Sequence, residues 1–140
     1  MTSMTTEEKQ HFLADLHVGV IGINEPQRGP LTVPIWYSYV PGERVKIITG
    51  SASRKGKLLT LGTRVSLAAQ NEGLPYKYVS IEGEVSAIEA ADATTLEAMA
   101  IRYLGEEQGK AYADNSGIEG QVTISITPQR WLAVDYSKMG

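Results

Sequence analysis

Runs of β-branched and aromatic residues follow one another along this chain with turn residues, not helices, between most of them. HVGVIGIN (His17–Asn24) alternates apolar and small residues and closes on the turn signals Asn24, Pro26, Gly29 and Pro30. LTVPIWYSYV (Leu31–Val40) ends at Pro41-Gly42, and RVKIIT (Arg44–Thr49) follows it, so residues 17–49 read as an antiparallel meander. Pro34 inside the second run predicts an edge or a bulge, because proline has no N–H to give to a ladder. RVSLAAQ (Arg64–Gln70), YKYVSIEGEVSAIE (Tyr76–Glu89, bent at Gly83) and QVTISIT (Gln121–Thr127) add three more strands, with Trp131–Tyr136 beyond them. Without βαβ alternation, the order predicts a mainly β, α+β architecture: a six-stranded antiparallel barrel with short flanking helices.

The helical signals are fewer. Thr5 and Glu8 have capping-box spacing, which predicts a helix over residues 5–16 with Phe12, Leu13 and Leu16 on one face. SASRKGKLLTL (Ser51–Leu61) predicts a helix of two to three turns with Leu58, Leu59 and Leu61 on its apolar side. A longer stretch, Asp92–Tyr112, carries Leu96, Met99, Ala100, Tyr103 and Leu104 at helical spacing, and Gly105 and Gly109 are expected to break or kink it. Trp36, Tyr37 and Tyr39 cannot all face one way on a strand, and packing is the ordinary role of such residues. With 140 residues and no linker, the expectation is one domain spanning 1–140.

Composition removes several chemistries. There is no cysteine, so no disulfide scaffold, zinc–thiolate site, iron–sulfur cluster or thiol nucleophile can form. His11 and His17 are the only imidazoles, and six residues apart they do not make a helix-face ligand pair. A formal net charge of -3 argues against nucleic acid and membrane surfaces as partners. The start MTSMTTEEKQ is polar and acidic, unlike a signal peptide, and no apolar run has the length of a membrane span, so a cytoplasmic location is expected. No G-x-S-x-G, P-loop or H-E-x-x-H spacing occurs, and Asp135 and Lys138 are expected only to pair at the surface.

The charge is unevenly spread. No acid lies between Glu43 and Glu72, yet that segment holds Arg44, Lys46, Arg54, Lys55, Lys57 and Arg64, leaving seven basic residues for all sixteen acids. Arg54, Lys55 and Lys57 fall in the first turn of a predicted helix, directly after Gly50-Ser51-Ala52-Ser53. Cations there oppose the helix dipole by roughly 0.3–1 kcal/mol each. A bound anion would offset that, with about 1.5–3 kcal/mol per charge-assisted hydrogen bond to a phosphate ester. A solvated basic face is the plainer alternative.

The stretch SRKGKLLTLGTRVSL (Ser53–Leu67) resembles the corresponding stretch of pyridoxamine 5'-phosphate oxidases and their flavin- and deazaflavin-binding split-barrel relatives. PIWYSY (Pro34–Tyr39), IIT (Ile47–Thr49), YVSIEGEV (Tyr78–Val85) and ITPQRWLAVD (Ile126–Asp135) are similar to that family's small actinobacterial branch, in order and spacing. The resemblance implies a six-stranded split barrel that dimerises, with a cofactor in each cleft between subunits. It implies that Arg54 and Lys55 bind the cofactor phosphate, with Lys57 also touching it in deazaflavin users. Thr49 and Ser53 would offer hydroxyls or backbone to the same group. The strand Val33, Pro34, Ile35 and Trp36 would line the isoalloxazine ring, and Trp131 and Tyr136 would approach the partner's cleft. Tyr78 stands where the oxidases use a glutamine on the flavin.

Ile101–Gly117 has no Arg-Pro element and the tail no histidine, which argues against vitamin B6 oxidation itself. The expected function is a flavin- or deazaflavin-dependent oxidoreductase passing a hydride between cofactor and a small, planar substrate, with Trp131 or Tyr78 limiting access. FMN is preferred on the Ser-Arg-Lys run. The compact length and the ITPQRW tail favour coenzyme F420, for whose acidic tail Lys57, Arg64 or Arg44 would supply cations. The alternatives are a non-catalytic binder or carrier of FMN, F420 or a tetrapyrrole, and a dimeric scaffold whose basic island binds nothing.

Overall fold

A computed structural model of the chain describes residues 1–139. Its strands are β1 (Gly19–Ile23), β2 (Leu31–Ile35), β3 (Val45–Gly50), β4 (Arg64–Gln70), β5 (Lys77–Ala90) and β6 (Gln121–Asp135). They form one curled, wholly antiparallel sheet in the order β2-β1-β4-β5-β6-β3. Four helices flank it: α1 (Thr6–Ala14), α2 (Arg54–Leu58), α3 (Ala93–Leu104) and α4 (Glu106–Ser116). The six-stranded mainly β architecture read from the sequence is therefore the observed one.

Alternation builds the core. Along β4 every second residue is buried, so Val65, Leu67 and Ala69 point inward beside Val79 and Ile81 of β5 and Ile124 and Ile126 of β6. Leu13 of α1 closes one end of this interior, and the buried Tyr37 hydroxyl donates to the Leu13 carbonyl at 2.7 Å.

Several sequence expectations change. Residues 17–49 are not a meander: β1 and β2 form a hairpin, but β3 crosses to the far edge and pairs with β6. Only the isolated bridge between Ser38 and Lys46 joins the second run to the third, because the peptide groups of Tyr37 are taken by helix side chains described below. The edge position foreseen for Pro34 is where β2 lies. Helix α1 stops at Ala14, which leaves Leu16 exposed outside it. Helix α2 is a little over one turn, with Leu59 buried just past its end and Leu61 exposed. Gly105, at φ +84°, separates α3 from α4, whereas Gly109 sits inside α4 where a side chain would meet the Ile101 backbone at 2.5 Å. The tail does not end at Thr127. β6 runs on to Asp135, and its register against β5 shifts at Gly83, where Gln129 is the extra residue.

Lys138 does not pair with Asp135 as expected. Its ammonium donates to Glu8 at 2.7 Å and to the Ser3 carbonyl at 3.0 Å, while Asp135 accepts from the Ser137 backbone and hydroxyl. Glu8 also closes the capping box with Thr5. The Lys138 hydrogen bond, with the Thr5 backbone, brings the Glu8 carboxyl from 4.5 down to about 2. Stability drawn from ionised Glu8 is complete above its ordinary value and is lost as pH falls through the folded one. Urea unfolding of the chain and of Glu8→Gln, from about pH 6 to about pH 2.5, is expected to show a stability gap that closes below about pH 4.5. A gap that did not change with pH would remove the ion pair as its source.

Candidate functional site

The site grows out of the place where the barrel fails to close. Between the edges β2 and β3 the backbone beyond Ile35 keeps only the Ser38–Lys46 bridge, and α3 side chains supply the hydrogen bonds of Tyr37. The Tyr37 N–H donates to the Tyr103 hydroxyl at 3.0 Å. That hydroxyl lies 2.6 Å from the His17 carbonyl and 3.0 Å from the Tyr37 carbonyl, with one proton to give. The Arg102 guanidinium donates to the carbonyls of Tyr37, Ala14 and Asp15 at 3.0–3.1 Å. Tyr103, read from the sequence as part of an apolar helix face, is thus also a polar hook. Burial holds the Tyr37 phenol protonated far above its ordinary range, so it serves packing rather than acid–base exchange.

Trp36 packs against α3 and α4. Its ring stacks on Tyr103 with centroids 5.0 Å apart and planes 5° from parallel, and Tyr112 of α4 leans on it at 5.4 Å. Pro34, Ile35 and Trp36 form one wall of a cleft of about 280 Å³, and Ile48 of β3 and Lys55 of α2 reach it from the opposite edge. Val18 and Pro34 also belong to a neighbouring cleft of about 690 Å³ that includes Tyr78 and Gln70. The structure thereby gathers Pro34, Ile35, Trp36 and Lys55 and sets Tyr78 next door. Val33 instead packs on the core.

The turn before α2 is built from its own hydroxyls. Ser53 caps the helix, accepting from the Gly56 N–H at 3.0 Å and donating to the Gly50 carbonyl at 2.7 Å, with the buried Thr49 hydroxyl 3.3 Å away. A side chain at Gly56 would fall 2.1 Å from the Gly50 carbonyl oxygen, so α2 sits directly on the end of β3. Arg54 turns outward onto Glu25 in the β1–β2 loop, both carboxylate oxygens facing its Nε and one also facing Nη2. Lys55 and Lys57 make no ion pair among the described residues. Arg64 is held across strands by Glu82 at 3.1 Å and Glu84 at 3.2 Å.

Trp131 lies elsewhere, edge-on to Tyr39 at 6.0 Å, with the Lys9 ammonium 5.3 Å from its ring and Arg44 in the same small cleft. Within one chain it does not join Lys55 and Trp36. Sequence reasoning missed Val18, Tyr112 and Glu25. Val18 extends the alternation of β1 by one position, a signal that was legible. Glu25 and Tyr112 reach the site from a loop and from a second helix, and local pattern carries nothing about either.

The family model described as pyridoxamine 5'-phosphate oxidase matches residues 5–135. The chain belongs to the pyridoxamine 5'-phosphate oxidase family. Among solved structures similar to this family member is a conserved hypothetical protein of Mycobacterium tuberculosis, 22% identical, with a TM-score of 0.79 over 99% of this chain and 89% of that one. Another is described as an F420 reductase, 16% identical, TM-score 0.70, covering 88% of this chain and 94% of that one. A third is an FAD and heme binding protein of Mycobacterium smegmatis, 13% identical, TM-score 0.69, covering 96% of this chain and 72% of that one. Among curated proteins none matches the chain in sequence.

The hydroxyl of Tyr103 carries the seam. Tyr103→Phe keeps the stacking on Trp36 but strips the Tyr37 N–H of its acceptor, at about 1–3 kcal/mol for a buried donor left unpaired. Urea unfolding is expected to show that loss, with Trp36 fluorescence altered in the folded protein. Unchanged stability would mean that water or another acceptor replaces the phenol.

Proposed function

We propose that the seam cleft holds a flavin or deazaflavin cofactor, and that the protein is an oxidoreductase passing a hydride between it and a small, planar substrate. FMN is the first choice and coenzyme F420 the second. The observation that carries this reading is the company Lys55 keeps: a cation in the same cleft as Trp36, whose ring is stacked on Tyr103 and leaned on by Tyr112, with Pro34, Ile35 and Ile48 as its aliphatic lining. That donor set fits a planar ring with an anionic tail, aromatic and aliphatic walls for one and cations for the other. The cofactor, when bound, supplies the hydride chemistry. This chain's residues bind and orient. Lys55, Lys57 and Arg54 would meet phosphate, Ser53 fixes the turn that presents them, and Pro34, Ile35 and Trp36 exclude water from one side of the ring. The family's B6 oxidation is not part of the proposal, since Ile101–Gly117 lacks the Arg-Pro element and the tail lacks histidine.

Replacing both Arg54 and Lys55 by alanine is expected to weaken FMN or F420 binding by about tenfold or more, read by fluorescence titration, because two charge-assisted bonds go. Unchanged affinity would leave the basic turn a solvated surface. Hydride transfer from the reduced cofactor no faster than in free solution would leave a carrier in place of an enzyme.

The working unit in this reading is a homodimer. Pro34, Val20, Ala68, Ser80 and Leu132 stand opposite one another across five strands, in one row on the outer face of the sheet. Val20 is 44% and Leu132 58% exposed, an apolar stripe that suits a second copy. Light scattering of Val20→Glu is expected to report a monomer where the unaltered chain is a dimer. A dimer that survives the charge would put the interface elsewhere.

A further inference from the structure

Among the described residues Glu25 is the one acid that pairs with the basic turn. It projects from the β1–β2 loop, its side chain only 17% exposed, and faces the 48% exposed Arg54 side chain with both carboxylate oxygens. The hydrogen bond from Arg54 holds its carboxyl below the ordinary value, so it is ionised at neutral pH, and Arg28 adds to this. Among the described residues Arg54 has Nη1 left without a hydrogen-bond partner, and Lys55 and Lys57 stand without counterions.

We infer that Glu25 is a specificity-determining residue that discriminates by phosphate charge, disfavouring a dianionic phosphomonoester more than a monoanionic phosphodiester. The inference rests on the cofactor reading above. A phosphate on Arg54 Nη1 and the two lysines has the Glu25 carboxylate on the far side of the same guanidinium. Its repulsion scales with the charge that arrives. A terminal phosphate such as that of FMN carries nearly two charges at neutral pH, whereas a phosphodiester, as in F420, carries one. At the phosphate itself the free energy lost to Glu25 is therefore about twice as large for the monoester, so its fold-effect there is about the square of that for the diester, the acidic tail of F420 being matched by its own cations. A carboxylate that was merely pushed aside would affect both ligands equally, since the same ion pair would break for each.

The test is a fluorescence titration of FMN and of F420 into the unaltered chain and into Glu25→Gln, at low salt and near neutral pH. FMN affinity is expected to rise about tenfold in the variant and F420 affinity about threefold, both gains shrinking as salt screens the charge. Glu25→Ala is expected to give the same ratio of gains, which separates charge from side-chain shape. Melting temperatures of both variants report whether the loop still folds. Equal gains for the two ligands, or a loss for both, would overturn the inference. If Arg54→Ala with Lys55→Ala still weakened binding by about tenfold or more in that case, the cofactor reading would stand without it. Binding of neither ligand to any of these proteins would overturn both.

Discussion

Between β2 and β3 two sheet edges approach with a single bridge, Ser38 to Lys46, where a closed barrel would have a ladder. Open edges leave peptide groups unpaired, which is costly in a protein interior and hazardous at its surface. Here the gap is sewn by side chains: Tyr103 and Arg102 supply the bonds that a neighbouring strand would have supplied to Tyr37. No buried side-chain polar atom among the described residues is left without a partner. Because side chains and not a ladder close the seam, a cleft remains beside it, with Pro34, Ile35 and Trp36 as one wall, Ile48 and Lys55 as the other, and Tyr112 of α4 reaching in. A barrel closed by a full ladder would have no such space.

The same turn answers the objection that helix electrostatics raises. Three cations at the start of a helix are out of place, and a resident anion was one way to offset them. Part of the answer is internal: Glu25 accompanies Arg54, and α2 is so short that it has little dipole to oppose. What remains is Lys55 and Lys57, held by a turn whose hydroxyls are occupied with one another. Ser53 gives its proton to Gly50 and its lone pair to Gly56, so it shapes the turn and is not idle. The cations are the unspent part of the site.

How much of this was legible follows from the range of each signal. Strands β1, β4 and β5 were readable because alternation is local, and the capping box of α1 and the break at Gly105 were readable for the same reason. The crossing of β3 to β6 was not, since Pro41-Gly42 makes a hairpin look natural and the groups that bond the Tyr37 backbone come from α3, some 65 residues later. Lys55 and Trp36 were named from a resemblance and meet across the seam. The pairing of Arg54 with Glu25 spans 29 residues and depends on where a hairpin loop lands, for which sequence carries no periodic trace. Trp131 was named too, and one chain keeps it apart.

That separation has a physical reading in the proposed dimer. The larger cleft shares Val18 and Pro34 with the smaller, and Pro34 and Val20 also begin the apolar row on the outer face. The residues that would pack against a second copy are therefore the residues that wall the cleft. A ligand whose ring rests there would be covered by the partner, and a partner seated there would complete the ligand's site. Association and cofactor binding then stabilise one another through common side chains, each raising the affinity of the other by the same factor. A chain with a modest apolar stripe and a modest cluster of cations can in this way hold both with more strength than either feature supplies alone.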